Sequence, residues 1–215
     1  GGVGVGSGGR KPAIIQLFPP GVMVGYKMAP QTVPAHAGML GTWRNATPEA
    51  PMTTRLIDFQ DPGEANRWRA INDSVMGGVS RGGLWVEDGI GVFRGETSLE
   101  NNGGFASVRR DPEAFDLSDA PGLALHVRGD GRTYQLRLYT GQLPQGAAYR
   151  ASFQPPAGEW QRIEVSWHNF EAVFRGRLLE GIPPLDPAGI DQVGLMIVDR
   201  QAGPFRLEVA WLGAP

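Results

Sequence analysis

Period-two alternation, with no helical stripe to set against it, is the feature that most limits what this chain can fold into. Between residues 122 and 129 Leu123, Leu125 and Val127 fall on one side, and Ala124, His126 and Arg128 on the other. Tyr134, Leu136 and Leu138 alternate with Gln135, Arg137 and Tyr139. Ile163, Val165 and Trp167 alternate with Arg162, Glu164 and Ser166, and Phe205, Leu207, Val209 and Trp211 with Arg206, Glu208 and Ala210. Such runs are half-buried strands, apolar face inward. The segment 193–199, VGLMIVD, is nearly all apolar and reads as a strand buried on both faces.

Turn chemistry separates the runs. Gly129-Asp130-Gly131, Pro155-Pro156-Ala157-Gly158 and Pro183-Pro184 are examples, and the 32 glycines and 18 prolines follow no fibrous repeat. One short helix is expected within 61–73, with Asp61 as its cap, Pro62 at its first position and Glu64 at its third. The pattern predicts an all-β fold: one β-sandwich over 52–215, of jelly-roll type, with at most one or two short helices.

The first 51 residues differ in character. They hold both lysines, and no acid precedes Glu49. They open on GGVGVGSGGRKP and are read as a low-complexity or disordered extension. Gly4-Val5-Gly6-Ser7-Gly8-Gly9 fits a dinucleotide-loop pattern, but no strand precedes it and Pro12 stands where a helix would begin. The apolar stretch 13–26 is interrupted by Gln16 and Pro19-Pro20-Gly21, so no integral membrane span is expected. From Met52 onward sixteen arginines face twenty-one acids. That balance offers no broad basic field for nucleic acid. With no cysteine, disulfides and thiolate metal sites are excluded.

Several patterns suggest chemistry. Gly78-Val79-Ser80-Arg81-Gly82 fits the G-x-S-x-G of a serine-hydrolase elbow. That motif needs a strand before the serine and a helix after it, whereas a turn and a strand follow here. Ser80 therefore reads as a turn residue. His126 and His168 lack metal-ligand spacing, and no metal or other cofactor is expected. Asp73, Glu100 and Asp130 are loop acids with no spacing that marks a glycosidase pair. No catalytic residue is assigned.

The strings WRAINDSVMGGVSRG (68–82), FRGETSLENNGGFASVRR (93–110), RGDGRTYQLRLYT (128–140), YRASFQPPAGEWQRIEV (149–165), FRGR (174–177) and IDQVGLMIVDRQAGPFRLEVAWL (190–212) occur in order. Together they resemble the complex I intermediate-associated protein 30 (CIA30) family, in its bacterial branch. The resemblance implies a galactose-binding-like β-sandwich. It implies a non-enzymatic assembly or chaperone-like factor whose partner is a protein, such as an assembly intermediate of the respiratory complex. It also implies a cytoplasmic location in bacteria, peripheral at the inner membrane in one variant, and a mitochondrial one in a eukaryote.

The signature residues have a physical reading of their own. Asn72, Asp73, Ser80, Glu100, Asn101 and Asn102 are polar residues beside Gly77, Gly78, Gly103 and Gly104. Such residues bond nearby backbone and fix turns, and the glycines permit close approach. Arg109 is expected to pair an acid such as Glu100. Locking two hairpins together and presenting a shared interaction surface are both open to this set. An alternative of a different class is a carbohydrate-binding module, with His126, Arg128, Arg137 and Tyr139 on one open polar face.

Overall fold

Because alternate residues of each run are apolar, every strand has one face to hide, and two sheets stacked face to face hide both sets. The computed structural model describes residues 53–215, so the extension expected over 1–51 lies outside the described residues. The strands are β1 (Thr54–Asp58), β2 (Trp68–Ala70), β3 (Arg81–Glu87), β4 (Ile90–Thr97), β5 (Ala106–Arg110) and β6 (Gly122–Arg128). They continue with β7 (Tyr134–Thr140), β8 (Ala147–Phe153), β9 (Trp160–Ser166), β10 (Glu171–Phe174), β11 (Arg177–Leu178), β12 (Ile190–Ile197) and β13 (Gly203–Ala214).

The first sheet runs β3-β4-β13-β6-β9, with β1 added along β13, and the second runs β11-β10-β8-β7-β12-β5-β2. All named strand pairs are antiparallel. The core lies between the sheets. Leu123, Leu125, Val127, Phe93 and Leu207 enter it from the first, and Tyr134, Leu136, Leu138, Leu195 and Ile197 from the second. Phe93 lies edge-on to Phe205, with ring centroids 4.8 Å apart. The architecture is the jelly-roll sandwich that the alternation called for.

Two local expectations change. The helix expected within 61–73 is a single 3-10 turn, Glu64–Arg67, after which the chain enters β2. Asp61 is not its cap: Gly63 holds that position with no side-chain cap bond, and the Asp61 carboxylate accepts from the Gly63 amide at 2.8 Å, ahead of the turn. Trp68 stacks on Phe59 at 5.8 Å and pairs in register with Arg110 of β5, and that packing extends the backbone where propensity allowed a helix. Elsewhere among the described residues helical structure is confined to four further 3-10 turns.

The second change is in β13. A register shift between Val209 and Trp211 sends Leu212 into the core and turns Trp211 outward. A bulge adds one residue to a strand and reverses the alternation beyond it. In β12 the apolar run is only partly buried on its outer side. Val193, Leu195 and Ile197 fill the core, Gly194 is covered outside, and Met196 is half-buried.

A charged pair, Arg110 with Glu64, lies inside. Arg110 meets Glu64 through two bonds, Nε to Oε1 at 2.6 Å and Nη2 to Oε2 at 3.0 Å, with both side chains nearly fully buried. The Trp68 indole N–H donates to the same Glu64 at 2.8 Å, and Glu113 takes the remaining edge of the guanidinium. Burial works against the Arg110 charge, but Glu64 and Glu113 outweigh it and hold its pKa above the ordinary arginine value. Removing one member leaves the other charged and unpaired. Arg110→Met is expected to cost about 3–5 kcal/mol in urea unfolding. The double variant Arg110→Met, Glu64→Gln, which keeps an acceptor for Trp68, is expected to recover at least half of that loss. Equal losses in the single and double variants would show that the pair is not what the site depends on.

Candidate functional site

Three groups of residues singled out from the sequence come into view: the signature loops, the outer face of the first sheet and the outer face of the second.

The signature loops meet on one carboxylate. Asp73 opens a 3-10 turn just after β2 and is fully buried. Its Oδ1 accepts from the Ser80 amide at 2.9 Å, and its Oδ2 from the amides of Gly104 at 2.8 Å and Phe105 at 3.3 Å. Ser80 precedes β3 of the first sheet, and Gly104 and Phe105 precede β5 of the second. One side chain thus clasps the places where the chain enters each sheet.

The surrounding residues complete the clasp. Asn72 donates to the Gly82 carbonyl at 3.0 Å and accepts from the Ser107 amide at 3.3 Å. The Ser80 hydroxyl donates to the Ser98 carbonyl at 3.2 Å and accepts from the Ser98 amide at 2.9 Å. Gly77 closes the first turn at a φ of 88°, and Asn101 takes a left-handed φ of 54° in the turn Glu100–Asn102. A Cβ at Gly78 would lie 2.3 Å from the Asp73 carboxyl carbon, and one at Gly103 2.6 Å from its Oδ2, so both glycines make room for the clasp.

Burial alone would raise the Asp73 pKa. The Ser80 hydroxyl beside it and the amides of Gly104, Phe105 and Ser80 outweigh burial and hold it below the usual carboxylate range. Arg109 takes no part: Glu100 sits exposed in its turn, and Arg109 points elsewhere. Ser80 is buried in these bonds and presents no nucleophile, while His168 bonds Ser166 at 2.8 Å.

The four residues expected on one polar face divide between two. His126 and Arg128 stand outside the first sheet, and Arg137 and Tyr139 outside the second. Alternation tells which side of its own strand a residue takes, but not which sheet the strand joins.

Most of the first face is paired internally, although Arg162 of β9, opposite His126 and 2.8 Å from Glu164, keeps buried Nε and Nη2 atoms with no hydrogen-bond partner among the described residues. Arg128 pairs Glu208, Arg206 pairs Glu208 at 2.9 Å and Glu87 at 3.2 Å, and Arg94 pairs Glu87 at 2.6 Å. Arg94 covers Trp85, Arg128 covers Trp160 and Arg55 covers Trp211. His126 lies between Trp160 and Trp211, and burial, with the Arg55 charge second, lowers its pKa.

On the second face arginine stands opposite arginine. In register across its strands stand Arg150 of β8, Arg137 of β7, Gly194 of β12, Arg109 of β5 and Arg69 of β2. Arg150 reaches Glu171 at 3.5 Å and Arg69 reaches Asp111 at 3.0 Å. Arg137 donates only to the neutral Gln135, at 2.9 Å. Arg109 lies 3.9 Å above the Tyr139 ring, which in turn covers Gly194. The Nε atoms of Arg109 and Arg137 are buried with no acceptor among the described residues. Burial, and then the charges of Arg150 and Arg109, lower the Arg137 pKa against the opposing pull of Tyr139. Beside Arg109 a cavity of about 330 Å³ opens between Arg69, Asp111 and Gln192.

The sequence pointed to Arg109 and Arg137 singly and missed Arg69 and Arg150. All four hold outward positions on their strands, and only strand register brings them into one line. Among the described residues no group of three or more metal-ligating side chains gathers. No helix among them is long and apolar enough to cross a membrane.

Comparison with known proteins adds three findings. The family model "Complex I intermediate-associated protein 30 (CIA30)" matches residues 57–209. The chain is 27% identical over 127 residues to the mitochondrial complex I intermediate-associated protein 30 of Neurospora crassa, covering 56% of this chain and 46% of that one. The Drosophila melanogaster protein of the same name matches at 25%, covering 75% of this chain and 62% of that one, and the Mus musculus protein at 24%, covering 72% and 54%. The chain therefore spans about half the length of the curated relatives it matches. Among solved structures, it is similar to the family 11 carbohydrate-binding module of a Clostridium thermocellum cellulase, with a TM-score of 0.57 at 14% identity, covering 77% of this chain and 96% of that one. A second structure of the Clostridium thermocellum family 11 module, in complex with a β-1,3-1,4-mixed-linked tetrasaccharide, gives 0.52 at 13% identity, covering 69% and 88%. These structural likenesses establish the fold.

The clasp sets a pH test. The folded-state pKa of Asp73 lies below its unfolded value, so its stabilisation is complete above about pH 4 and is lost as pH falls through the folded value. Asp73→Asn is expected to cost about 2–3 kcal/mol at neutral pH. Its deficit against the unaltered chain, read from urea midpoints, is expected to shrink toward about pH 3. A deficit that stays constant over that range would contradict a clasp that depends on charge.

Proposed function

The chain belongs to the complex I intermediate-associated protein 30 family, and from that membership we propose that it is a non-enzymatic, protein-binding β-sandwich that assists assembly of a respiratory membrane complex. The observation that carries this reading is the family match across residues 57–209, nearly the whole sandwich. The relatives are named for association with complex I intermediates, and that naming is extended here to a protein of which this chain spans about half. On the same reading the chain works in the cytoplasm of a bacterium, or in the mitochondrion of a eukaryote, and meets its partner at the inner membrane.

The geometry supports a scaffold without chemistry of its own. Asn72, Asp73 and Ser80, which belong to the strings that carry the family resemblance, are spent on hydrogen bonds inside the clasp. Ser80, whose surroundings matched a hydrolase pattern, has its hydroxyl committed to the Ser98 backbone. The carbohydrate-binding alternative draws on the fold alone, and the same fold serves unrelated functions.

Deleting the gene in its native host is expected to lower the amount of assembled NADH:ubiquinone oxidoreductase on native gels. The tagged full chain is expected to co-purify with subunits of that complex before it is complete. Unchanged assembly in the deletion strain, with none of those subunits recovered, would overturn the reading.

A further inference from the structure

We propose that the row Arg69, Arg109, Arg137 and Arg150 is a docking surface for a short, extended, acidic peptide segment of the protein partner. The inference deepens the protein-binding reading and rests on it.

Charge is the first argument. Sixteen arginines face twenty-one acids from Met52 onward, so a line of four arginines on one face runs against the balance of the domain. Two acids, Asp111 and Glu171, answer the four. Both lie at the ends of the row, and its middle has none. There Arg109 and Arg137 keep buried Nε atoms without an acceptor among the described residues. Those Nε atoms are covered, and a carboxylate arriving from outside would meet the Nη groups of the same guanidiniums and pair their charge. On the outer face of the first sheet, by contrast, each of Arg94, Arg128 and Arg206 lies against a glutamate, and Arg162, whose Nε is likewise buried without a partner among the described residues, lies 2.8 Å from Glu164.

Geometry gives the shape of the ligand. Strands lie about 4.8 Å apart, so the row from β8 to β2 crosses four gaps and spans about 19 Å. An extended segment of about six residues covers that length and presents alternate side chains about 6.8 Å apart. Guanidinium forks match carboxylates in bidentate fashion, which a row of lysines would not do. The cavity beside Arg109 leaves room for one such side chain.

Other ligands fit less well. A sugar chain is usually gripped by a free aromatic ring, and Tyr139, the aromatic residue facing outward here, carries Arg109 on its ring. A long polyanion would run past the row onto a domain of net negative charge. A short acidic segment meets only the row.

Fluorescein-labelled hexaglutamate, titrated with the purified full chain and read by anisotropy, tests the assignment. Binding is expected, and raising the salt from about 50 to about 500 mM should weaken it by about tenfold or more. Arg137→Ala and Arg69→Ala should each weaken it several-fold, and Arg94→Ala, on the other sheet, should leave it unchanged. Circular dichroism checks that each variant folds. Should Arg137→Ala not fold, the exposed Arg69 keeps the test decisive. Absence of binding, or affinity unchanged in the folded variants, would overturn the proposal. So would tighter binding of polygalacturonate or inorganic phosphate in competition, which would give the row to another anion. Because this measurement uses purified protein and a peptide, its failure would remove the docking surface and leave the native-gel result to decide the wider function.

Discussion

The buried carboxylate of Asp73 is the interaction on which the rest of the sandwich depends. Hydrophobic burial drives two sheets together without itself having a direction. Hydrogen bonds to fixed amides do have direction. By accepting from Ser80 at the start of β3 and from Gly104 and Phe105 at the start of β5, Asp73 sets where the chain crosses between the layers. The glycines around it follow from that task, because any side chain at Gly78 or Gly103 would occupy the carboxylate's own space.

This assigns the most recognisable part of the sequence to structure, and interaction shifts to the faces. The two outer faces are built from the same residue types with opposite results. On the first sheet, arginines lie against glutamates and over tryptophans. On the second, arginine stands opposite arginine across neighbouring strands, an arrangement that destabilises an isolated sheet. Like charges set side by side make sense where something outside the domain neutralises them.

The fold was largely legible in the sequence because burial follows a period of two, and that period is local. Leu123, Leu125, Val127, Tyr134, Leu136 and Leu138 all occupy the core as the alternation requires. Whatever depended on distant partners was not legible. Trp211 alternates as a core residue, but the bulge after Val209 turns it outward. The stretch after Asp61 carries helix-start signals, and packing on Phe59 and β5 draws it into a strand after one turn. The signature residues were legible as a group but not as a clasp around Asp73. Local sequence offers Arg109 an acid such as Glu100, but strand register sets it beside Tyr139. The arginine row was invisible for the same reason: each member is an ordinary polar position until the order β8-β7-β12-β5-β2 is known.

Amide hydrogen exchange on the intact chain tests the clasp most directly. Ser80, Gly104 and Phe105 lie outside the regular strands, so without Asp73 their amides would exchange as those of open loops do. If the carboxylate holds both sheet entries, these three amides exchange as slowly as the core amides of β6, and Asp73→Asn releases them ahead of that core. Fast exchange of the three in the unaltered chain, or protection that survives Asp73→Asn, would contradict the account.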